Sequence, residues 1–275
     1  VHSVAAFLKT RGFKQGEVAA LVLHNSIEWP IFNLGTWAAG GAISGASALF
    51  TDFELERQFL DSQCSVVFTD EAHIDKTIIC VRADGSHRHL PGNIIDWAEV
   101  IGCRPQFDTA KVSASSMAVL PYSSGTTGSP KGVMLSHRNF GTMRQVMPKL
   151  SVANFDWYKE TLVLNLPFYH IFGFGLLTFN ILAGITGVVM EKFEPMVFAG
   201  AAPLGKDICD EFLKVHNNVR YLTQGYGMTE CGMASHLPLL AKKDDYNGVG
   251  VIISNFDQKI VDPTGKELGM GEKGE

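Results

Sequence analysis

Residues 122–133 read Tyr122-Ser123-Ser124-Gly125-Thr126-Thr127-Gly128-Ser129-Pro130-Lys131-Gly132-Val133, just after the apolar stretch Met117-Ala118-Val119-Leu120. Glycines give the backbone positive φ and bring N–H groups close to an anion. The Ser and Thr hydroxyls add donors, and Lys131 adds a compact positive charge. That inventory suits a polyphosphate. The run is not a Walker loop, because Pro130 stands where that pattern needs a glycine before the lysine. It is not a dinucleotide fingerprint either. A Gly/Ser/Thr stretch alone is usually a linker. The buried-strand signal before this one, its lysine and the helix-like segment from Ser136 set it apart.

Working outward, the first half of the chain reads as repeated α/β units. Val4 to Leu8 has helical spacing, residues 12–16 form a turn, and Val18 to Leu23 is an apolar strand. Glu28 to Ala39 predicts a helix that stops at Gly40-Gly41. Phe53 to Ser62 predicts another, with Asp52 as its cap, followed by the strand Val66-Val67-Phe68. Alternation of this kind favours a parallel sheet with helices on both faces, so the fold class is α/β. Residues 83–116 read as a surface passage with a short helix near Asp96 to Val100. Thr161 to Leu166 is a strand leading to His170, and Asp207 to His216 is an amphipathic helix with Phe212 and Leu213 inward. Asn247 to Asp262 reads as two short strands, and residues 263–265 as a turn.

Composition narrows the function classes. Of 275 residues, 46% are hydrophobic and the net charge is −5, which disfavours nucleic acid as the main partner. Five scattered cysteines (Cys64, Cys80, Cys103, Cys209 and Cys231) carry no C-x-x-C, so neither a disulfide framework nor a zinc site is expected. His87 and His89 read as a solvated loop. Ile171 to Met190 is uncharged over a length close to a membrane span. Its glycines and Asn180 instead favour a buried helix, a turn at Gly184 and a buried strand. No H-R-D or D-F-G run occurs, which disfavours a protein kinase. The chain opens on Val1 within a helical pattern, so a fragment is expected.

The run at 122–133 closely resembles the phosphate-binding signature of the adenylate-forming enzymes, a superfamily of acyl- and aryl-CoA ligases, 4-coumarate–CoA ligases and beetle luciferases. Three further stretches resemble its motifs in the same order: Pro167-Phe168-Tyr169-His170-Ile171-Phe172-Gly173, Gly200-Ala201-Ala202-Pro203-Leu204, and Gln224-Gly225-Tyr226-Gly227-Met228-Thr229-Glu230. The resemblance implies the family's large N-terminal domain, with stacked αβαβα layers and the start of a small β-barrel. Residues 1–150 would form a first α/β subdomain, 151–240 a second with the acyl and adenine sites, and 241–275 the start of the barrel. A C-terminal domain would be absent.

The implied activity is ATP-dependent, AMP-forming ligation of a carboxylic acid to coenzyme A. Ser123, Ser124, Gly125, Thr126, Thr127 and Gly128 would wrap the β- and γ-phosphates, and Lys131 would neutralise the leaving pyrophosphate. Tyr226 would lie against adenine, with Gly225 and Gly227 admitting the nucleotide. Thr229 would contact the α-phosphate and Glu230 would hold Mg²⁺. His170 would stand at the mouth of the acyl pocket, and Gly200, Ala201 and Ala202 would border adenine and the acyl tunnel. Each has a blander alternative: a core histidine bonded to backbone, a solvated surface glutamate, tight packing at small residues. Small-molecule acid, ATP and coenzyme A are the implied partners, in cytoplasm or peroxisome. The rival readings are a catalytically incomplete nucleotide- or acyl-binding chain and a luciferase-like oxidative enzyme.

One junction is physically odd. Gly187 to Lys192 and Met196 to Ala199 both read as strands, separated only by Phe193-Glu194-Pro195. Parallel neighbours need a crossover of about a dozen residues. Family members carry a further helix–strand–helix stretch here, so a deletion near 195/196 is expected.

Overall fold

The computed structural model describes residues 1–70, 79–81, 94–104, 109–123, 130–151, 161–190, 204–215, 222, 224–237 and 248–275. Ser124 to Gly128, Gly200 to Ala202, the strand expected at Met196 to Ala199, and His87 and His89 lie outside the described residues. The chain divides into two compact units. One comprises Val1–Pro148, Asn154–Met196 and Thr229–Met233; the other comprises Lys149–Ala153, Val197–Met228 and Ala234–Glu275.

In chain order, the first unit begins with α1 (His2–Thr10), β1 (Val18–Val22), α2 (Glu28–Ala39), β2 (Ala42–Ala46), α3 (Asp52–Ser62) and β3 (Val66–Asp70). It continues through β4 (Ile79–Val81), β5 (Ile95–Asp96), α4 (Trp97–Gly102), β6 (Met117–Val119), β7 (Tyr122–Ser123), β8 (Lys131–Gly132), β9 (Leu135–Ser136) and α5 (His137–Ser151). Seven of these strands form one sheet in the order β5-β4-β3-β1-β2-β6-β9. Every pairing is parallel except that of β6 with β9. From β1 the chain crosses by α2 to β2, then returns by α3 to β3 on the other side of β1. The strand order therefore reverses there, and open α/β sheets bind ligands at the carboxyl ends of strands at such a point.

The sheet forms because its central strands are apolar on both faces. All five residues of β1 are buried, as are all five of β2. Helix α2 ends at Gly40, whose φ of 91° needs a residue without Cβ. The cap of α3 is Thr51, one residue before the expected Asp52. Its hydroxyl accepts from the Glu54 amide, while Glu54 accepts from the Thr51 amide at 2.7 Å. Thr51 is the better placed because Glu54 stands three residues on and closes a reciprocal box. Aromatic packing fills the core. Phe32 stacks on Phe68 with centroids 4.2 Å apart, and Trp29 meets Phe168 and Phe174 at 6.1 and 6.3 Å. Trp29, Phe32, Phe68 and Phe168 are all fully buried. Burial of each such side chain is worth about 1.5–3 kcal/mol.

A separate two-stranded parallel sheet pairs β10 (Thr161–Leu164) with β11 (Thr186–Val189), joined through α6 (Ile171–Ala183). Gly184 ends α6 in the left-handed conformation, as expected. The strand after it departs from expectation. Thr186, Gly187 and Val188 of β11 are exposed, Val188 by 47%. Among the described residues no third strand flanks β11, and of its apolar residues only Val189 packs against the core. No described helix is long and apolar enough to cross a membrane.

The second unit holds α7 (Lys206–Val215) and the antiparallel pair β12 (His236–Leu237) and β13 (Val251–Ile252). The most buried residue of α7 is Cys209, with Phe212 and Leu213 half-buried beside it. The turn at 263–265 is built by Asp262, whose carboxylate accepts from the Thr264 and Lys266 amides.

Candidate functional site

Strand β6 delivers the chain to the Gly/Ser/Thr run at the carboxyl edge of the sheet. It is seated there by polar bonds across β2. The Leu120 amide donates to Ile43 O at 2.7 Å, and the Ser44 hydroxyl donates to Leu120 O at 3.0 Å. Gln58 of α3, itself buried, donates to Ser44 and to Gly45 O. Beyond Pro121, β7 and β8 pair antiparallel, Tyr122 opposite Gly132 and Ser123 opposite Lys131. The ends of the run are thereby brought together and Lys131 is set beside Ser123. Lys131 is exposed and has no ion-pair partner among the described residues.

His170 leaves the same edge from a different direction. Asn25, just past β1, donates from Nδ2 to Leu166 O and accepts at Oδ1 from the Phe168 amide, both at 2.9 Å. The amide side chain thus acts as a short piece of sheet clamping the turn that leads to His170. Tyr169 then crosses close over Gly45 of β2. A Cβ at Gly45 would lie 2.7 Å from Tyr169 Cα and 3.0 Å from the Trp29 ring, so only glycine admits the approach. Beneath this crossing is a narrow apolar cavity of about 10 Å³, barely one water in size.

His170 is exposed and caps α6. Its Nδ1 accepts from the Phe172 amide at 3.2 Å, which fixes the neutral tautomer with the proton on Nε2. Partial packing of the ring disfavours its charged form and lowers its pKa below the usual histidine value. At neutral pH the ring therefore presents an N–H donor at Nε2.

Thr229 and Glu230 open a single 3-10 turn, Thr229–Cys231, which groups with the first unit. Thr229 is buried and its carbonyl accepts from the Gly232 amide at 3.0 Å, with Gly232 at φ 72°. Glu230 is exposed. No cluster of three or more metal-ligating side chains occurs among the described residues. A lone exposed carboxylate nonetheless fits Mg²⁺, which is usually held by one or two carboxylates plus phosphate oxygens and water.

Within the second unit, the ends of two sequence motifs meet. The Leu204 amide donates to the Gln224 side-chain oxygen at 2.9 Å, and Gln224 Nε2 donates back to Leu204 O at 3.0 Å. Tyr226 follows, half exposed at 48%, with its backbone bridged to His236. Its ring meets the His236 ring edge-on at 5.8 Å. His236 is held at both nitrogens, by Ser235 at 3.1 Å and Gln258 at 3.0 Å. Gly225 lies under His236 O, which a Cβ would approach to 3.3 Å, while Gly227 is exposed. Asn25, Gln58 and His236 escaped the sequence reading. None sits in a motif, and their contacts join residues that one sequence alone gives no reason to pair.

The family profile described as AMP-binding enzyme matches residues 1–197 and 194–275. The chain belongs to the AMP-binding enzyme family. Among its relatives, 4-coumarate–CoA ligase 3 of Oryza sativa subsp. japonica is 31% identical over 98% of this chain and 58% of its own length. 4-Coumarate–CoA ligase 1 of Petroselinum crispum is 28% identical over all of this chain and 60% of its own length. The chain thus spans about three fifths of the curated relatives it matches. Solved structures agree on the fold. ATP-bound MatB from Rhodopseudomonas palustris superposes with a TM-score of 0.82 at 23% identity, covering 98% of this chain and 61% of that one. The inhibitor-bound N-terminal domain of FACL13 from Mycobacterium tuberculosis gives 0.77 at 20% identity, covering 97% and 77%. This chain therefore has the fold of the N-terminal domain of adenylate-forming enzymes.

Proposed function

We propose that the protein is an AMP-forming acid–thiol ligase, joining a carboxylic acid to coenzyme A at the expense of ATP. The observation that carries this reading is the convergence of two motifs. The hairpin bearing Lys131 and the turn bearing His170 leave or cross the neighbouring strands β6, β1 and β2 at their carboxyl ends, where the strand order reverses.

The chemistry asks for position and charge rather than for a made nucleophile. A carboxylate is already ionised at neutral pH, since its pKa is about 4 to 5. Its oxygen attacks the α-phosphorus of ATP, the bond to the bridging oxygen breaks, and pyrophosphate leaves. A thiol then attacks the acyl carbon and AMP departs. In the first step Lys131 places a positive charge beside the leaving pyrophosphate, with Ser123, Ser124, Gly125, Thr126, Thr127 and Gly128 donating to its oxygens. Thr229 serves the α-phosphate. Glu230 would hold Mg²⁺, whose charge offsets that of the phosphates. His170, neutral and donating from Nε2, orients the incoming carboxylate. Tyr226 would support the base, flanked by Gly225 and Gly227, and the family resemblance gives Gly200, Ala201 and Ala202 the border of adenine and the acid pocket. Reduced thiols at Cys64, Cys103, Cys209 and Cys231 accord with a cytoplasmic or peroxisomal place of work.

Pyrophosphate exchange with ATP across a panel of carboxylic acids tests the reading. One or a few acids should support exchange, and Lys131→Ala should slow it by about 10²-fold. Exchange with no acid, or undiminished exchange in Lys131→Ala, would overturn it.

A second reading has its own support. The alignment with the rice relative runs over 327 positions although it takes in only 98% of a chain of 275 residues. The family profile breaks into two pieces that meet at 194–197. A deletion beside β11 would leave a chain that binds nucleotide without completing thioester synthesis. Acyl-CoA formed by the purified 275-residue chain would exclude this reading.

A further inference from the structure

We propose that Asp61 and Tyr122 are a positioning pair that sets the Lys131 hairpin for the phosphate tail of the nucleotide. The pair rests on the nucleotide reading above and adds Asp61, which lies outside the motifs, and Tyr122, the first residue of the run, to which that reading gives no role. The Tyr122 O–H donates to Asp61 Oδ2 at 2.6 Å, joining the last turn of α3 to the first residue of β7 across 61 positions of sequence.

Three observations make this contact more than surface decoration. First, among the described residues the β7–β8 ladder has two residue pairs, Tyr122 with Gly132 and Ser123 with Lys131, with the Val133 amide donating to Pro121 O at 2.8 Å just beyond them. A hairpin this short is marginal in water by itself, so the direction of Lys131 depends on its anchors, the backbone bonds at Pro121 and Leu120 and the side chain of Tyr122. Second, the Tyr122 ring packs down on Gly132. A Cβ there would lie 3.2 Å from Tyr122 Cζ, 3.3 Å from its hydroxyl and 3.2 Å from Leu120 Cδ1. The ring therefore touches the residue next to Lys131, and moving the hydroxyl moves that contact. Third, Asp61 occupies the last turn of α3, where the helix dipole disfavours a negative charge. The helix gains nothing from an acid at that place, whereas the hairpin gains a short, charge-assisted anchor. Burial and the neighbouring Asp61 carboxylate push the Tyr122 hydroxyl pKa well up, so it remains a donor throughout the working pH range.

Calorimetric titration of the 275-residue chain with MgATP and, separately, with AMP tests the pair. The variants are Tyr122→Phe, Asp61→Asn, their double and Lys131→Ala. AMP lacks the β- and γ-phosphates, so a hairpin fault should spare it, whereas a general loss of structure would weaken both ligands. Tyr122→Phe and Asp61→Asn should each weaken MgATP binding about tenfold and leave AMP binding within about twofold, with the double no worse than either single. Unchanged MgATP affinity in Tyr122→Phe alongside weakened affinity in Lys131→Ala would overturn the pair and leave the nucleotide reading standing. Equal loss of MgATP and AMP in the single variants would also overturn it, reducing the contact to a stability role. Failure of the unmodified chain to bind either nucleotide would overturn the nucleotide reading, and the pair with it.

Discussion

At the residue scale, Asn25 shows how one side chain positions another that is far away in sequence. Its amide copies a peptide group and satisfies the backbone of Leu166 and Phe168 at once. Asn25→Ala would strand a half-buried acceptor and a buried donor and should lower stability by about 1–3 kcal/mol, read as a drop in the urea midpoint. Asn25→Asp keeps the acceptor but turns an oxygen toward Leu166 O, so it should rescue little. His170 adds a pH dependence. Its pKa in the fold lies below that of the unfolded chain, so protons bind the unfolded state better. Its contribution is intact above about pH 6.5 and is lost as pH falls from there through the lower folded value. His170→Asn preserves an oxygen for the Phe172 amide while removing the titration. The urea midpoint of this variant should match the parent at pH 7.5 and fall less steeply toward pH 5. The motif residues stand out in the sequence because their chemistry is local: Lys131 beside hydroxyls and glycines, His170 before an apolar helix; their roles are the ones proposed above. The Asn25 contacts were not, because they span 141 and 143 positions.

At the element scale, the strands and helices with strong patterns emerged where expected, and the exceptions have physical causes. β2 went unread because Ala42-Ile43-Ser44-Gly45-Ala46 is small and poor in β-formers. It becomes a strand through its neighbours: β1 on one side, β6 on the other, and Gln58 bonded to its end. The smallness is itself functional. Gly45→Ala would drive a Cβ into the Tyr169 backbone, which cannot swing aside as a side-chain tip can. The variant should lose about 1–3 kcal/mol of stability by thermal unfolding. β11 was read as buried because its residues are apolar, but apolarity specifies only what a strand needs. Its exposure follows from the lack of a covering partner among the described residues.

At the scale of the whole molecule, the family's shared architecture persists in the first unit, and among the described residues no third strand flanks β11. We propose a stretch missing after β11 on two observations: the alignment with the rice relative is longer than the chain, and the family profile breaks at 194–197. An open apolar edge favours pairing with other chains. Val188→Lys, which puts a charge on that edge, should reduce self-association in light scattering and leave MgATP affinity unchanged.

Crystals of the protein grown or soaked with MgATP offer the most direct test of nucleotide binding at the Lys131 hairpin. Density for the β- and γ-phosphates should lie within about 2.7–3.1 Å of the Lys131 ammonium and the donors of residues 123–128. Nucleotide density elsewhere, or none at saturating concentration, would contradict the account.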